Sequence, residues 1–316
     1  MMKKSRIEVM NDIARQPLMI FVGIDPGSET YAFAFINELG SIVKYFEIPS
    51  DLVEKDSMRL VKLISNYNPV AVALPSGHGL PFYNVKNINN KEIFLLTLKD
   101  PNESGPLRNF LLSAKQYLSL YNSFTIPSVI ELNSVPIERK IDVIDMGTAD
   151  KVCAAFFYRI YLNMKNFILV EMGRKFTAIL VVIDGKIVNG YGGTYLSGLD
   201  GEVAYLLHKY SRIDKSTIYS INRNMELIRI IAEWYSIKYN LPIIVSGYSK
   251  DLLEFGIKYH FKFKEAAVGA AFIANAYFGG SLHYYTEEGM LESSLTPISF
   301  VRLRNWQEII SWIETL

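Results

Sequence analysis

In the octapeptide Gly23-Ile24-Asp25-Pro26-Gly27-Ser28-Glu29-Thr30, an apolar run delivers a carboxylate and then turns back through a glycine. Those residue types at that spacing suit phosphate chemistry. Gly27 has no side chain to hold backbone N–H groups away from a phosphate, Ser28 and Thr30 add hydroxyl donors, and Asp25 is suited to hold the hydrated Mg2+ that accompanies a nucleotide. A plain hairpin turn with a capped Asp would carry the same octapeptide. Two other stretches could meet a substrate. Pro75 to Pro81 holds Ser76, Gly77 and His78 at the end of an apolar run, where the strand ends of an open α/β sheet face a ligand crevice; a solvent-facing turn histidine fits there equally. Gly190, Gly192 and Gly193, followed by Thr194, permit a phosphate or acyl group close to the backbone, or only a strand exit that needs positive φ.

A duplication sets the elements that position these residues. The unit starting at Ile20 returns at Phe167: an apolar strand ends in an acid two residues before a glycine, and two more strands follow around a tight turn. Asp25 and Gly27 match Glu171 and Gly173 at an offset of 146, and Gly40 matches Gly185 at 145. Asp184-Gly185 is a strong two-residue hairpin signal. After each triplet the pattern turns to helix, strand, helix. The first half predicts helices over Asp56 to Tyr67 and Pro106 to Tyr121, and strands over Val70 to Leu74 and Pro127 to Leu132. The second predicts helices over Gly201 to Tyr210, Met225 to Tyr239 and Lys250 to Tyr259, with a strand at Pro242 to Ser246. A helix from Thr148 to Leu162 separates the halves.

The order and spacing of these motifs resemble the actin, Hsp70 and sugar and acetate kinase superfamily of ribonuclease-H-like two-domain phosphotransferases, over roughly residues 18 to 280. The resemblance implies an α/β fold of two duplicated ribonuclease-H-like domains with mixed five-stranded sheets and a cleft between them. They span 1–150 and 151–263, with 264–316 a connecting helix and a tail packing back on the first. It implies ATP and Mg2+ as cofactors. The second phosphate loop is then Gly173, Arg174, Lys175 and Thr177, and adenine lies near Ser246 and Gly247, although an ordinary strand-to-helix turn would look the same. Arg174 and Lys175 are bulkier than the small residues usual in that loop, and either supply charge to phosphate or fill its space. The Gly147-Thr148-Ala149-Asp150-Lys151 stretch is similar to a segment of one class of pantothenate kinases. Asp150 is on that basis the candidate general base and Lys151 the group that neutralises the acceptor or the moving phosphoryl, against ordinary helix capping by Asp150. LPSGHGLP, DMGTADK and GKIVNGYGGT are similar to an archaeal family labelled predicted butyrate kinase, which implies a short-chain carboxylate as the small-molecule acceptor. The alternative function is an ATP-binding sensor or assembly module of the same fold that transfers nothing.

Composition limits the rest. The chain has 316 residues, half of them hydrophobic, and a net charge of +1, so there is no bulk field for nucleic acid or a membrane surface. A single cysteine, Cys153, points to the cytoplasm. No apolar run is long enough to cross a bilayer, and the four histidines, His78, His208, His260 and His283, have no metal-binding spacing. A homodimer stays open as the assembly.

Overall fold

The computed structural model describes residues 18–74, 76–100, 102–196, 199–218 and 223–316. β1 (Phe21–Pro26), β2 (Thr30–Ile36) and β3 (Ile42–Pro49) form one antiparallel meander, and β7 (Phe167–Met172), β8 (Thr177–Ile183) and β9 (Lys186–Tyr191) form another. In the first sheet β4 (Ala71–Ala73) and β6 (Asn122–Thr125) add in parallel, and the short β5 (Tyr83–Asn84) closes the edge in the order β3-β2-β1-β4-β6-β5. In the second, β10 (Ile243–Ser246) and β11 (Ile257–Lys258) add in parallel, in the order β9-β8-β7-β10-β11. The chain is therefore α/β with two mixed sheets. The first has six strands instead of the expected five, because β5 returns antiparallel on β6.

The two meanders agree in detail. In each, the register between the second and third strands shifts by one residue, at Phe35/Ile36 and at Val181/Val182, again 146 residues apart, leaving Val43 and Val188 of the third strands as the extra residues. Gly40 and Gly185 both take positive φ, +80° and +75°, which only glycine adopts without strain.

Alternation along the strands divides three cores. Ala32, Ala34 and Ile36 of β2 and Phe167 and Leu169 of β7 face a central layer built from α4 (Ala149–Tyr161) and α7 (Glu265–Tyr277). Tyr31, Phe33 and Phe35 face outward to α1 (Ser50–Ser65), α2 (Asn90–Thr97) and α3 (Pro106–Tyr117). Ile168, Val170 and Met172 face outward to α6 (Met225–Tyr239), while α5 (Gly201–Tyr210) lies more exposed. The small residues of α7 let backbones meet. A Cβ on Gly269 would stand 1.9 Å from the Cys153 carbonyl oxygen of α4, and one on Gly23 of β1 2.1 Å from the Ala271 nitrogen of α7.

Several expected elements differ. Residues Val129–Glu131 form a turn of 3-10 helix instead of a strand, and the strand lies earlier at β6; Pro127 next to Ser128 breaks the ladder, and Glu131 accepts the Ser128 N–H at 2.6 Å. The helix expected over Lys250 to Tyr259 is only a turn, Lys250–Leu252, because Gly256 at φ +79° redirects the chain into β11. The tail touches both halves. Glu288 meets Arg159 and lies against Gly185, whereas the last helix, α8 (Trp306–Ile313), covers the outer core of the first sheet through Ile310 and Ile313.

Candidate functional site

The matching strands β1 and β7 end side by side with the start of α4, and their acids converge there. Lys151 is the centre of the group: its Nζ lies 2.5 Å from Asp150 Oδ2 and 2.7 Å from Glu171 Oε2. Burial disfavours that ammonium, but the two carboxylates outweigh it and hold its pKa above the usual lysine value. Asp150 is held below the ordinary carboxylate range. Burial pushes it upward, and Lys151 with the Thr148 hydroxyl more than reverses this. Glu171 goes the other way, pushed up to about 7 by burial against the pull of Lys151.

Asp25, 6% exposed, closes the group from β1. It is pushed up to about 6 by burial, an effect only partly offset by Lys264, whose Nζ is 3.5 Å from Oδ2, and increased by the charge of Asp150. Lys264, from the start of α7, also donates to the Thr30 carbonyl at 2.7 Å. A Cβ at Gly27 would lie 2.5 Å from that same carbonyl oxygen and 2.7 Å from Lys264 Nζ, so nothing larger than glycine fits this turn. On the other side, Gly247 takes φ +88° with its backbone pressed against Met172 and Glu171, and the buried Ser246 Oγ beside it has no hydrogen-bond partner among the described residues. Arg223 donates to the Gly173 carbonyl and supports the second loop from beneath.

These residues line a cleft of about 570 Å3, and a second pocket of about 320 Å3 joins it at Gly27, Ser28, Gly77, Thr148, Lys151 and Phe176. The second pocket is walled largely by carbon from Tyr31, Ile93, Leu107, Phe176 and Ala178.

A family model described as a protein of unknown function, DUF1464, matches residues 23–303, which spans both sheets and every residue of this cleft. The chain belongs to the DUF1464 family. No curated protein gives a significant match. Among solved structures, this DUF1464 chain is similar to ethanolamine utilization protein EutJ from Carboxydothermus hydrogenoformans, with 16% identity over 84% of this chain and 96% of that one and a TM-score of 0.40. It is similar to an inorganic polyphosphate/ATP-glucomannokinase from Arthrobacter sp. strain KM, with 15% identity over 82% and 99% and a TM-score of 0.43. A propionate kinase from Francisella tularensis shares 14% identity over 73% and 84%, with a TM-score of 0.45. The two sheets of the DUF1464 chain repeat one arrangement, an antiparallel meander with parallel strands added beside its first strand, which is the duplicated α/β pattern that the motifs imply.

The DUF1464 cleft brings together Asp25, Gly27, Ser28, Thr30, Asp150 and Lys151 with Gly173, Arg174, Lys175, Ser246 and Gly247. Not all of them turn a polar group to it. The Thr30 hydroxyl donates to Glu47 at 2.7 Å, and Thr177, fully buried, points its hydroxyl at the Met172 sulfur. Ser76 bridges strands, accepting from the Ile126 N–H at 3.0 Å and donating to the Leu74 carbonyl. Gly77, His78 and Gly193 line the second pocket, whereas Gly192 and Thr194 stand behind Asp145, which accepts the Thr194 N–H at 3.2 Å and the Gly147 N–H at 3.0 Å. The sequence reading overlooked Asp145, although it lies in DMGTADK, and gave Glu171 no role beyond its place in the repeat. Lys264 and Arg223 had no local signal, because their partners are distant in the chain. Among the described residues no helix is long and apolar enough to cross a membrane.

Proposed function

We propose that this protein is an ATP-dependent phosphotransferase acting on a small organic acid, with nucleotide and acceptor meeting in the cleft between two duplicated ribonuclease-H-like units. The observation that carries the reading is the convergence of Asp25, Asp150, Glu171 and Lys151 at matching strand ends, where the cleft opens into an apolar pocket. The residues fit the implied ligands. The glycine cradles at Gly27 and Gly247 and the orphaned Ser246 hydroxyl suit a nucleotide. Asp25, a buried carboxylate only partly compensated by Lys264, gains from a cation. Mg2+ is commonly held by one or two carboxylates, with water and substrate phosphates completing its shell, and in such a site it offsets phosphate charge.

The chain's own residues supply the rest. Gly27, Ser28 and Gly173 would hold the phosphates through their backbone N–H groups, and Lys151, where the two pockets join, would offset charge. Asp150 then orients instead of deprotonating, since a carboxylate held below its usual range is a poor base at neutral pH. That favours an acceptor already ionised on arrival, a carboxylate, over an alcohol. An alcohol would need a base such as Glu171, whose pKa of about 7 is matched to the task. The experiment is nucleotide turnover with matched acids and alcohols. Asp25→Asn is expected to abolish ADP release while the melting temperature without ligand stays near that of the parent; full turnover in this variant would refute the site. With acids, lengthening from acetate to butyrate is expected to improve binding about fourfold for each methylene buried in the pocket. A flat response would mean that the acceptor lies elsewhere. A second reading, a sensor that binds ATP and transfers nothing, is favoured by the Arg174–Glu29 ion pair at 3.2 Å across the two phosphate loops, and it predicts thermal stabilisation by ATP with no turnover for any acceptor.

A further inference from the structure

One side chain joins the three loops around the cleft. Arg174 Nε, in the loop after β7, lies 3.2 Å from Glu29 Oε2 in the loop after β1. Its guanidinium carbon also lies 3.4 Å from the centre of the Tyr248 ring, in the turn after β10. Tyr248 is 69% exposed and follows Gly247, whose close backbone approach to Met172 and Glu171 fixes where the ring emerges. A flat cation thus covers one face of a flat aromatic at the rim of the cleft.

On the nucleotide reading above, we infer that Tyr248 is the platform on which the ligand's base stacks, and that Arg174 leaves this ring and Glu29 to take the phosphates. The two halves of the exchange are chemically matched. A nucleobase and a guanidinium both prefer an aromatic face, so they compete for the same ring. A phosphate carries more charge than one carboxylate and accepts a guanidinium through two oxygens, so it competes with Glu29 for Arg174. The ion pair that must break is solvent-exposed on both sides, which makes it weak. The ligand class that satisfies both halves is a nucleoside polyphosphate; neither a free base nor a simple anion does.

The test is calorimetric titration of the full chain and of Glu29→Gln, Tyr248→Ala and Arg174→Met with two probes: Mg·ATP, and magnesium tripolyphosphate, which has the phosphates without the base. None of the three side chains belongs to a core, so the variants should fold, and their far-UV circular dichroism checks this. Glu29→Gln is expected to bind both probes about threefold more tightly, because Arg174 loses its competing partner. Tyr248→Ala is expected to weaken ATP about tenfold and to leave tripolyphosphate no weaker, since stacking is lost and Arg174 is freed. Arg174→Met should weaken both. A Glu29→Gln protein that binds ATP no better than the parent overturns the exchange, as does a Tyr248→Ala protein that loses both probes equally; in either case the nucleotide reading survives. If no form binds ATP, Glu29→Gln included, the nucleotide reading fails and the exchange with it.

Discussion

Lys151→Met is expected to destabilise the protein by about 3–5 kcal/mol near pH 8 and by less near pH 5. The ammonium is 9% exposed and is in contact with two carboxylates that are nearly as buried, 21% for Asp150 and 13% for Glu171. Removing one member of a buried ionic cluster costs that much because the remaining charges lose their compensation. The pH dependence follows from the sign of the shifts. Without Lys151, burial raises both carboxyls in the folded state above their unfolded values. A raised carboxyl contributes stability below its unfolded pKa and loses it as pH climbs through the folded one. Asp150 is held below its ordinary range by Lys151, so the variant's deficit opens on the acid side as that carboxyl ionises, and Glu171, already near 7 in the parent, adds its share only above about pH 7. Urea denaturation of parent and variant at the two pH values measures it. An equal loss at both would mean that Lys151 contributes by packing and that the charges do not matter. Adding Glu171→Gln to the variant should recover part of the loss at pH 8.

Gly269→Ala is expected to cost more than about 3 kcal/mol, at or beyond the upper end of overpacking penalties. The new methyl would be 1.9 Å from the Cys153 carbonyl oxygen and 2.7 Å from its carbon, and 3.1 Å from Phe157 Cβ. The obstacle is backbone, with no rotamer to yield, so α4 and α7 must separate along the whole central layer. Gly201→Ala is the control. A Cβ there meets nothing within 4 Å, and in the first turn of a helix alanine is at least as favourable as glycine. Thermal denaturation of both proteins decides the point, and similar melting temperatures would show that the crossing tolerates a methyl.

Much of this was legible in the chain. The paired Asp25 and Glu171 fell out of the 146-residue offset, and the register shifts opposite Phe35/Ile36 and Val181/Val182 extend that repeat into backbone irregularity, which propensity cannot read. The missed elements have physical reasons. α2 is short and weakly amphipathic, although its capping box of Asn89 and Glu92 was visible in principle. Leu252, Leu253 and Phe255 give the segment after Lys250 the apolar face of a helix, but Gly256 at positive φ ends the periodicity. In the site, Asp150 and Lys151 are neighbours in the chain, and the likeness of their segment to one class of pantothenate kinases singles them out. Which carboxylate the ammonium would depress and which burial would raise depended on Glu171 and Asp25, which lie far away in sequence. Thr30 is a hydroxyl donor on local grounds and Thr177 a loop residue by resemblance, and both hydroxyls go to protein partners, Glu47 and Met172.

The return of α8 to the first sheet bears on how the protein is made. Ile313 is 1% exposed within the outer core that holds Val22 and Phe33, and Lys91 reaches Glu314 at 2.6 Å over a separation of 223 residues. During synthesis the outer core of the first sheet therefore emerges from the ribosome covered by α1, α2 and α3 but without α8, and the apolar patch under α8 stays open while the second sheet is translated. At about 5–20 residues per second that interval is on the order of ten seconds or more, long enough for an apolar face to engage a chaperone or a neighbouring nascent chain.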